Sequence, residues 1–440
     1  MKLYCVLVIL FFFTSCSFDN KTGIWKDNNS ISTEDKSPLK DFKKISTSKE
    51  IFNSTINLEK KFKFKLSNVK SNLRWNDLFY RNSNNFDNFK YNNNNQIFFR
   101  SKRLTGHNPN ERLLFENNKI IFFDQKGNLI TYSIDEKKII SKFNFYKKKY
   151  KNIKKNLNLI VSKNIIYVSD NLGYLYAFNY KINSLIWAKN HKIPFKSNLK
   201  ITNNMIIAAN HKNNVFFFNK NNGEIIKSIP TEETIVTNQF VNNFSIKDNS
   251  LYFLNSFGSL YSIDINLKRV NWFKNLNQSL ELTTTNLFSG NQIVNYKNRI
   301  VVSTNKLSYL IDSSTGKIIS SQNFQTNLRP IINGEYIFFL TNNNFLIASN
   351  LENGNILYSY DIKENIPKFL KTKKKLDFNE FFLVNNKLTI FLNNTYVATF
   401  NVNGKIEEIN KLTSKMKTKP IIINGSIFYL DKSNKLNIID

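Results

Sequence analysis

Gly173-Tyr174-Leu175-Tyr176-Ala177-Phe178-Asn179, followed after a polar turn by Leu185-Ile186-Trp187, is the stretch on which the fold turns. An apolar, aromatic-rich run this short, bounded by Gly and Asn, is too brief for a helix and suits a pleated surface. The closing Asn has its own logic. Its side chain accepts hydrogen bonds from backbone N–H groups just ahead and so starts the turn into the next strand. The same ending recurs at Ile134-Asp135, Phe218-Asn219, Ile263-Asp264, Ile311-Asp312, Ser349-Asn350, Phe400-Asn401 and Ile439-Asp440. Including Asn179, that makes eight copies at intervals of roughly 38–51 residues, mean about 44, within the range of four-stranded propeller blades.

Around each ending stands the same phrase of short apolar strand, Asn-rich turn, second strand, polar turn, third strand, turn and fourth strand. Gly173 precedes Trp187 by the same distance as Gly258 precedes Trp272, so these four residues are expected to dock neighbouring parts of the repeat. Gly223, Gly316, Gly354 and Gly404 follow their Asp or Asn closely, where tight hairpins need a positive φ. Asp135, Asn179, Asn219, Asp264, Asp312, Asn350, Asn401 and Asp440 are therefore assigned a turn-forming role.

A single blade has two apolar faces and cannot bury both alone, whereas blades arranged radially cover one another. The expected fold is all-β: an eight-bladed propeller of four-stranded antiparallel blades. The eighth copy stops at Asp440 without a fourth strand, which would leave a long apolar edge. An N-terminal strand should supply it. Gln96-Ile97-Phe98-Phe99-Arg100-Ser101 is the first choice and the alternating segment Lys61 to Leu66 the second.

Ahead of the repeats lies a different texture. Met1-Lys2, the apolar run Leu3 to Phe13 and Thr14-Ser15-Cys16 read as a signal peptide, because about eleven apolar residues are too few to span a bilayer. Only Cys5 and Cys16 exist, so after processing one Cys would stand at the first position and no internal disulfide could form. The expected organisation is a lipoprotein signal over 1–15, a flexible tether over 16–59, polar and poor in apolar clusters, and the propeller over 60–440, including an N-terminal arm at 60–112.

The net charge of +31 would ordinarily suggest nucleic acid, but the lysines are scattered among Asn, Ile and Phe in place of one basic helix or loop. Runs such as Lys147-Lys148-Lys149 and Lys373-Lys374-Lys375 fall in expected loops, where solvation accounts for them. No nucleic-acid partner is expected.

Gly173 to Asn179 with Leu185-Ile186-Trp187 resembles the quinoprotein-type, or PQQ-like, propeller repeat, and Ser314-Thr315-Gly316-Lys317-Ile318-Ile319 resembles its second half. Phe13-Thr14-Ser15-Cys16 resembles a bacterial lipobox, with Phe13 in place of the usual Leu, and identifies Cys16 as the lipidation site. Together with the repeats this is similar to the BamB-like family of propeller lipoproteins in the outer-membrane β-barrel assembly machinery. Leu73-Arg74-Trp75 and Phe86-Asp87-Asn88-Phe89 resemble the Trp-containing arm ahead of the first blade in some members. The resemblance spans roughly residues 70–440. Trp survives at the docking position in two copies only, and Lys181 to Ser184 lacks the Thr-Gly of the repeat.

What the resemblance implies is a non-catalytic scaffold that faces the periplasm and meets the outer membrane through its lipid anchor only. It would bind the periplasmic domains of the central barrel-insertion subunit through its rim loops, and unfolded outer-membrane proteins through short strand edges. An envelope glycan- or polymer-binding propeller is the alternative. Quinone-dependent dehydrogenases share the repeat, but their vicinal disulfide cannot be assembled here. His107, His191 and His211 sit at expected loops or strand ends with no partners at ligand or relay spacing. No catalytic, cofactor-binding or metal-binding residue is expected.

Overall fold

The computed structural model describes residues 51–440 except 147–149, 151, 234–240, 278–287, 289, 305, 327, 364–365, 367–376 and 394. Of the first 50 residues, which form a separate unit, it describes only the pairing of Ser17–Phe18 with Trp25–Lys26. Cys16 and the lysine runs at 147–149 and 373–375 lie outside the described residues.

Eight antiparallel sheets follow one another along the chain, each with strands in the order a, b, c, d from the axis outward. Blade 1 is Leu114–Glu116, Lys119–Phe123, Asn128–Ser133 and Lys138–Asn144; blade 2 is Leu157–Ser162, Ile165–Asp170, Tyr174–Asn179 and Ser184–Asn190. Blade 3 is Lys200–Thr202, Met205–Ala209, Val215–Asn219 and Ile225–Ile229; blade 4 is Asn243–Lys247, Ser250–Leu254, Ser259–Asp264 and Arg269–Asn275. Blade 5 is Val294–Tyr296, Arg299–Ser303, Ser308–Asp312 and Ile318–Gln322; blade 6 is Ile331–Asn333, Tyr336–Leu340, Phe345–Asn350 and Ile356–Asp361. Blade 7 is Phe378–Val384, Lys387–Leu392, Tyr396–Asn401 and Ile406–Lys411. Blade 8 takes Ile421–Ile423, Ser426–Leu430 and Lys435–Ile439 from the C-terminus and its strand d, Ile97–Arg103, from the N-terminal side.

The expected propeller is therefore the observed one, and the first choice of closing strand is correct. Arg100 pairs with Asn437 and Phe99 with Ile438, and Arg100 also reaches Asp431 at 2.7 Å. Strands a to c are almost wholly buried because both their faces meet a neighbouring blade, while strand d keeps an open edge. The hydrophobic clusters accordingly lie between blades: Ile207, Phe217, Phe244 and Phe253 join blades 3 and 4, and Leu254, Leu260, Ile300 and Val302 join blades 4 and 5.

One irregularity repeats. In blades 1 to 7 the c–d pairing shifts register just before the end of strand c, for example between Ala177 and Phe178 and between Phe217 and Phe218. Such a bulge increases local twist and re-aims strand d. The Asp and Asn side chains that follow make the turn. Asn179 Oδ1 accepts from Lys181 N, Asn219 Oδ1 from Asn221 N and Asn350 Oδ1 from Glu352 N; Asp264 accepts from Leu267 N and Asp312 from Ser314 N and Thr315 N. Asn401 Oδ1 accepts from Lys405 N. Asp135 and Asp440 differ: their carboxylates accept from the Asn118 amide and the Ser426 hydroxyl.

The four residues expected to dock neighbouring parts of the repeat fall into two groups. Trp187 lies against Gly223 of blade 3 and Trp272 against Gly316 of blade 5, so each Trp of one blade packs on the c–d turn of the next. Gly173 and Gly258 instead shape b–c hairpins at φ of 88° and 94°. A Cβ on Gly223 would stand 2.5 Å from Trp187 Cζ3 at a φ of +74°. Gly223→Ala is expected to destabilise the protein by about 1–3 kcal/mol in a thermal or urea melt. Gly106→Ala, which meets nothing within 4 Å, should change it by less than about 0.5 kcal/mol.

Candidate functional site

In a propeller the axis is where eight inner strands converge, so what occupies it decides what chemistry the ring can host. Here the occupant is the chain's own residues 72–92. Because a propeller strand pleats only within its blade, the polar groups at the ends of the a strands need outside partners. The N-terminal segment supplies one to every blade in turn.

Trp75 exchanges both backbone hydrogen bonds with Phe115 of blade 1, each 2.8 Å. Asn76 O accepts from Val161 N of blade 2 at 2.9 Å. Lys200 of blade 3 donates to Asp77 Oδ2 at 2.6 Å, to Arg81 O at 2.8 Å and to Asn84 Oδ1 at 2.7 Å. Asn84 Nδ2 in turn donates to Phe244 O of blade 4 and to Ile293 O leading into blade 5, both at 2.8 Å. Asn85 makes a two-way amide pair with Ile332 of blade 6. Asn88–Phe89 runs parallel to Leu383–Val384 of blade 7, and Asn72 bonds Ile422 O and Asn424 N of blade 8. The contacts run along the inner strands, from Val161 and Asn424 beside a–b turns to Phe244 and Ile293 at the other ends of theirs, so the plug lies along the axis.

Its centre is aromatic. Trp75, Tyr80, Phe86 and Phe89 are buried together with Phe382 of blade 7, with ring centroids 4.6–6.2 Å apart among the pairs that include Trp75. Tyr80 is held at a φ of 86°, a strained conformation for a bulky residue that only a surrounding this well packed would maintain. Cations ring the cluster: the Arg329 guanidinium lies 3.9 Å from the Phe86 centroid and Arg112 lies 5.1 Å from Phe79. Arg329 is fully buried and donates from one nitrogen to Phe79 O at 2.7 Å and Asn84 O at 2.9 Å.

Glu380 is the counter-charge. It lies buried within 3.6 Å of Lys419 and 3.9 Å of Arg112. Burial raises its carboxyl pKa, but Lys419, Arg329 and Arg112 together outweigh this and hold it below the ordinary 4.5. A carboxyl depressed on folding contributes stability that is present above its unfolded value and lost as pH falls through the folded one. The stability advantage of the native chain over Glu380→Gln should therefore shrink as urea melts are taken below about pH 4.5.

The arm at 60–112 thus divides into a segment on blade 6, the plug and the closing strand. Lys61 to Leu66 forms no strand; Phe62 and Phe64 pack on Tyr336 of blade 6 while Lys61, Lys63 and Lys65 face out. Part of the expected tether is also engaged: Phe52 contacts Phe324 and Phe345, and Ile56 bridges Ser359. Phe52 and Ile56 stand in a stretch too polar for composition to show this. His191 is half-buried against Phe218, and burial pushes its imidazole down; His107 is exposed. Among the described residues no three His, Cys, Asp or Glu side chains gather as a metal site, and no helix is long and apolar enough to cross a membrane.

A family model described as outer membrane protein assembly factor BamB matches residues 126–360, more than half of the chain. The chain belongs to the BamB family. Among solved structures, BamB from Moraxella catarrhalis superposes with a TM-score of 0.61 at 10% identity, covering 77% of this chain and 99% of that one. A europium-containing methanol dehydrogenase gives 0.59 at 9% identity, covering 83% and 89%, and the computationally designed Ika8 protein gives 0.57 at 10%, covering 78% and 99%. At such identities these likenesses show a shared propeller and no more. A search of curated protein sequences returns no significant match.

Proposed function

We propose that this BamB-family chain is a non-catalytic scaffold of the outer-membrane β-barrel assembly machinery, held at the periplasmic side of the outer membrane by lipid on Cys16. Its partner would be the periplasmic part of the barrel-insertion subunit. The family match supports the assembly role, and the observation that most favours scaffold over enzyme is the plug. Four aromatic side chains and a contact to each blade occupy the axis, and the rims and outer edges are the surfaces available to partners.

A rigid ring serves a scaffold well, because partner loops meet preformed surfaces and little ordering entropy is lost on binding. The test is crosslinking in the native envelope followed by affinity capture on this chain. Recovery of the barrel-insertion subunit is the expected outcome. Its absence together with retained envelope polysaccharide would support the glycan-binding alternative instead. Dye-linked alcohol oxidation with added quinone and calcium should give no turnover, and turnover would overturn the scaffold proposal.

A further inference from the structure

The outer circumference of the ring is not uniform. Every exposed large hydrophobic side chain on an outer strand or c–d turn among the described residues belongs to blades 8 and 1 to 4, and none to blades 5 to 7. The densest group lies on three adjacent blades: Ile182, Leu185 and Ile186 on blade 2, Ile225 and Ile226 on blade 3, and Leu267, Val270 and Phe273 on blade 4. Ile182 and Leu267, at the tips of their turns, are 68% and 61% exposed, and Phe273 is 59% exposed.

Charge follows the same division. Lys181, Lys227, Lys268, Arg269 and Lys274 are interleaved with these residues, and the acids of the same turns and strands are Glu224, paired with Lys189 at 3.6 Å, and Asp264, whose carboxylate caps its own turn. The corresponding segment of blade 6 carries Glu352 and Asp361 and no Lys or Arg. A contiguous arc that is both apolar and cationic matches the two forces of membrane-surface binding, apolar burial at the headgroup boundary and attraction to anionic lipid.

The bulges decide against a strand-shaped partner. In blades 2 and 3 the register shift leaves Ile186 and Ile226 as the extra residues, so Leu185-Ile186 and Ile225-Ile226 both project as consecutive apolar pairs. An added strand needs a regular edge and reads alternate side chains, and a bulge blunts both. Where the chain's own N-terminal segment runs beside strand d of blade 6, it forms a single bridge, Ile56 to Ser359. Lipid makes no demand for register. Because the open edges carry unpaired backbone groups, only side chains can enter the apolar layer.

We propose that the outer edge of blades 2 to 4 rests on an anionic lipid surface, with Ile182, Ile186, Ile226, Leu267 and Phe273 at the headgroup boundary and the basic residues on the lipid charges. This orients the ring edge-on to the membrane and is independent of which protein the rims bind.

The test uses the full chain with Cys5→Ser and Cys16→Ser, carrying an environment-sensitive fluorophore on either Ile186→Cys or Glu352→Cys of blade 6. Vesicles of phosphatidylcholine alone and of phosphatidylcholine with phosphatidylglycerol are added to each. With phosphatidylglycerol the label at 186 should blue-shift and brighten several-fold, that at 352 should not, and molar salt or Lys181→Glu with Lys227→Glu should abolish the response. Equal responses at both positions, no response at 186, or an equal response to phosphatidylcholine alone would overturn the proposal. So would a vesicle-free shift at 186 that grows with protein concentration, which would assign the arc to a second copy of the chain.

Discussion

Trp75→Ala is expected to lower the stability of the ring by about 3–5 kcal/mol, read from the midpoint of a urea transition followed by far-ultraviolet circular dichroism. Trp75 is buried, its ring lies 4.6 Å from Tyr80 and 5.5 Å from Phe86 by centroid, and its backbone joins the plug to blade 1 by two hydrogen bonds. Truncation would leave a void, and voids are least costly where walls can collapse. The walls are Tyr80, Phe86 and Phe89 of the plug with Phe382 of blade 7, all buried inside a closed ring, so little relaxation is available. A loss under about 1 kcal/mol would show that the aromatic cluster contributes no packing of this kind. A two-step transition, with the plug leaving before the blades, would show that the ring closes without it.

The second large effect concerns charge. Asp77→Ala should cost about 3–5 kcal/mol because it leaves Lys200, fully buried, without its counter-ion. Adding Lys200→Met to that variant should restore part of the loss, since an apolar side chain needs no partner there. The pH dependence separates this from simple loss of packing. Burial lowers the Lys200 pKa and Asp77 acts against it, so the folded chain holds its proton less tightly than the unfolded chain, whose lysine has the ordinary value of 10.5. Stability from such a group rises with pH across the window below 10.5, and removing Asp77 extends that window downward. Asp77→Ala should therefore recover stability as pH is raised toward 10, and the double variant should not. Parallel pH profiles for the two would rule out an unpaired Lys200 charge as the source of the loss.

Much of the fold was legible because a repeat writes its geometry many times. Asn179, Asn219, Asp264, Asp312 and Asn350 each mark the same local event, a side chain accepting from N–H groups a few residues ahead, and local chemistry leaves a local trace. Ring closure was legible for a related reason: the eighth copy shows three strands, and Gln96 to Ser101, read as its fourth, overlaps the observed strand Ile97–Arg103. A second turn marker of the same kind went unread. Asp124, Asp170, Asn210, Asn255 and Asp431 each cap a b–c turn, and the signal was available at the ends of the second strands.

The sequence by itself determined the number of blades, the order of their strands, the turn residues between them and the need for an N-terminal closing strand. Only the tertiary structure decided that Trp187 and Trp272 pack on the following blade, that residues 72–92 fill the axis, and that exposed apolar and basic side chains share one arc. The physical reason is range. Strand and turn preferences act within a few residues, whereas Asn84 meets Phe244 and Ile293, and Lys200 meets Asp77, only after eight blades have brought distant segments to one axis.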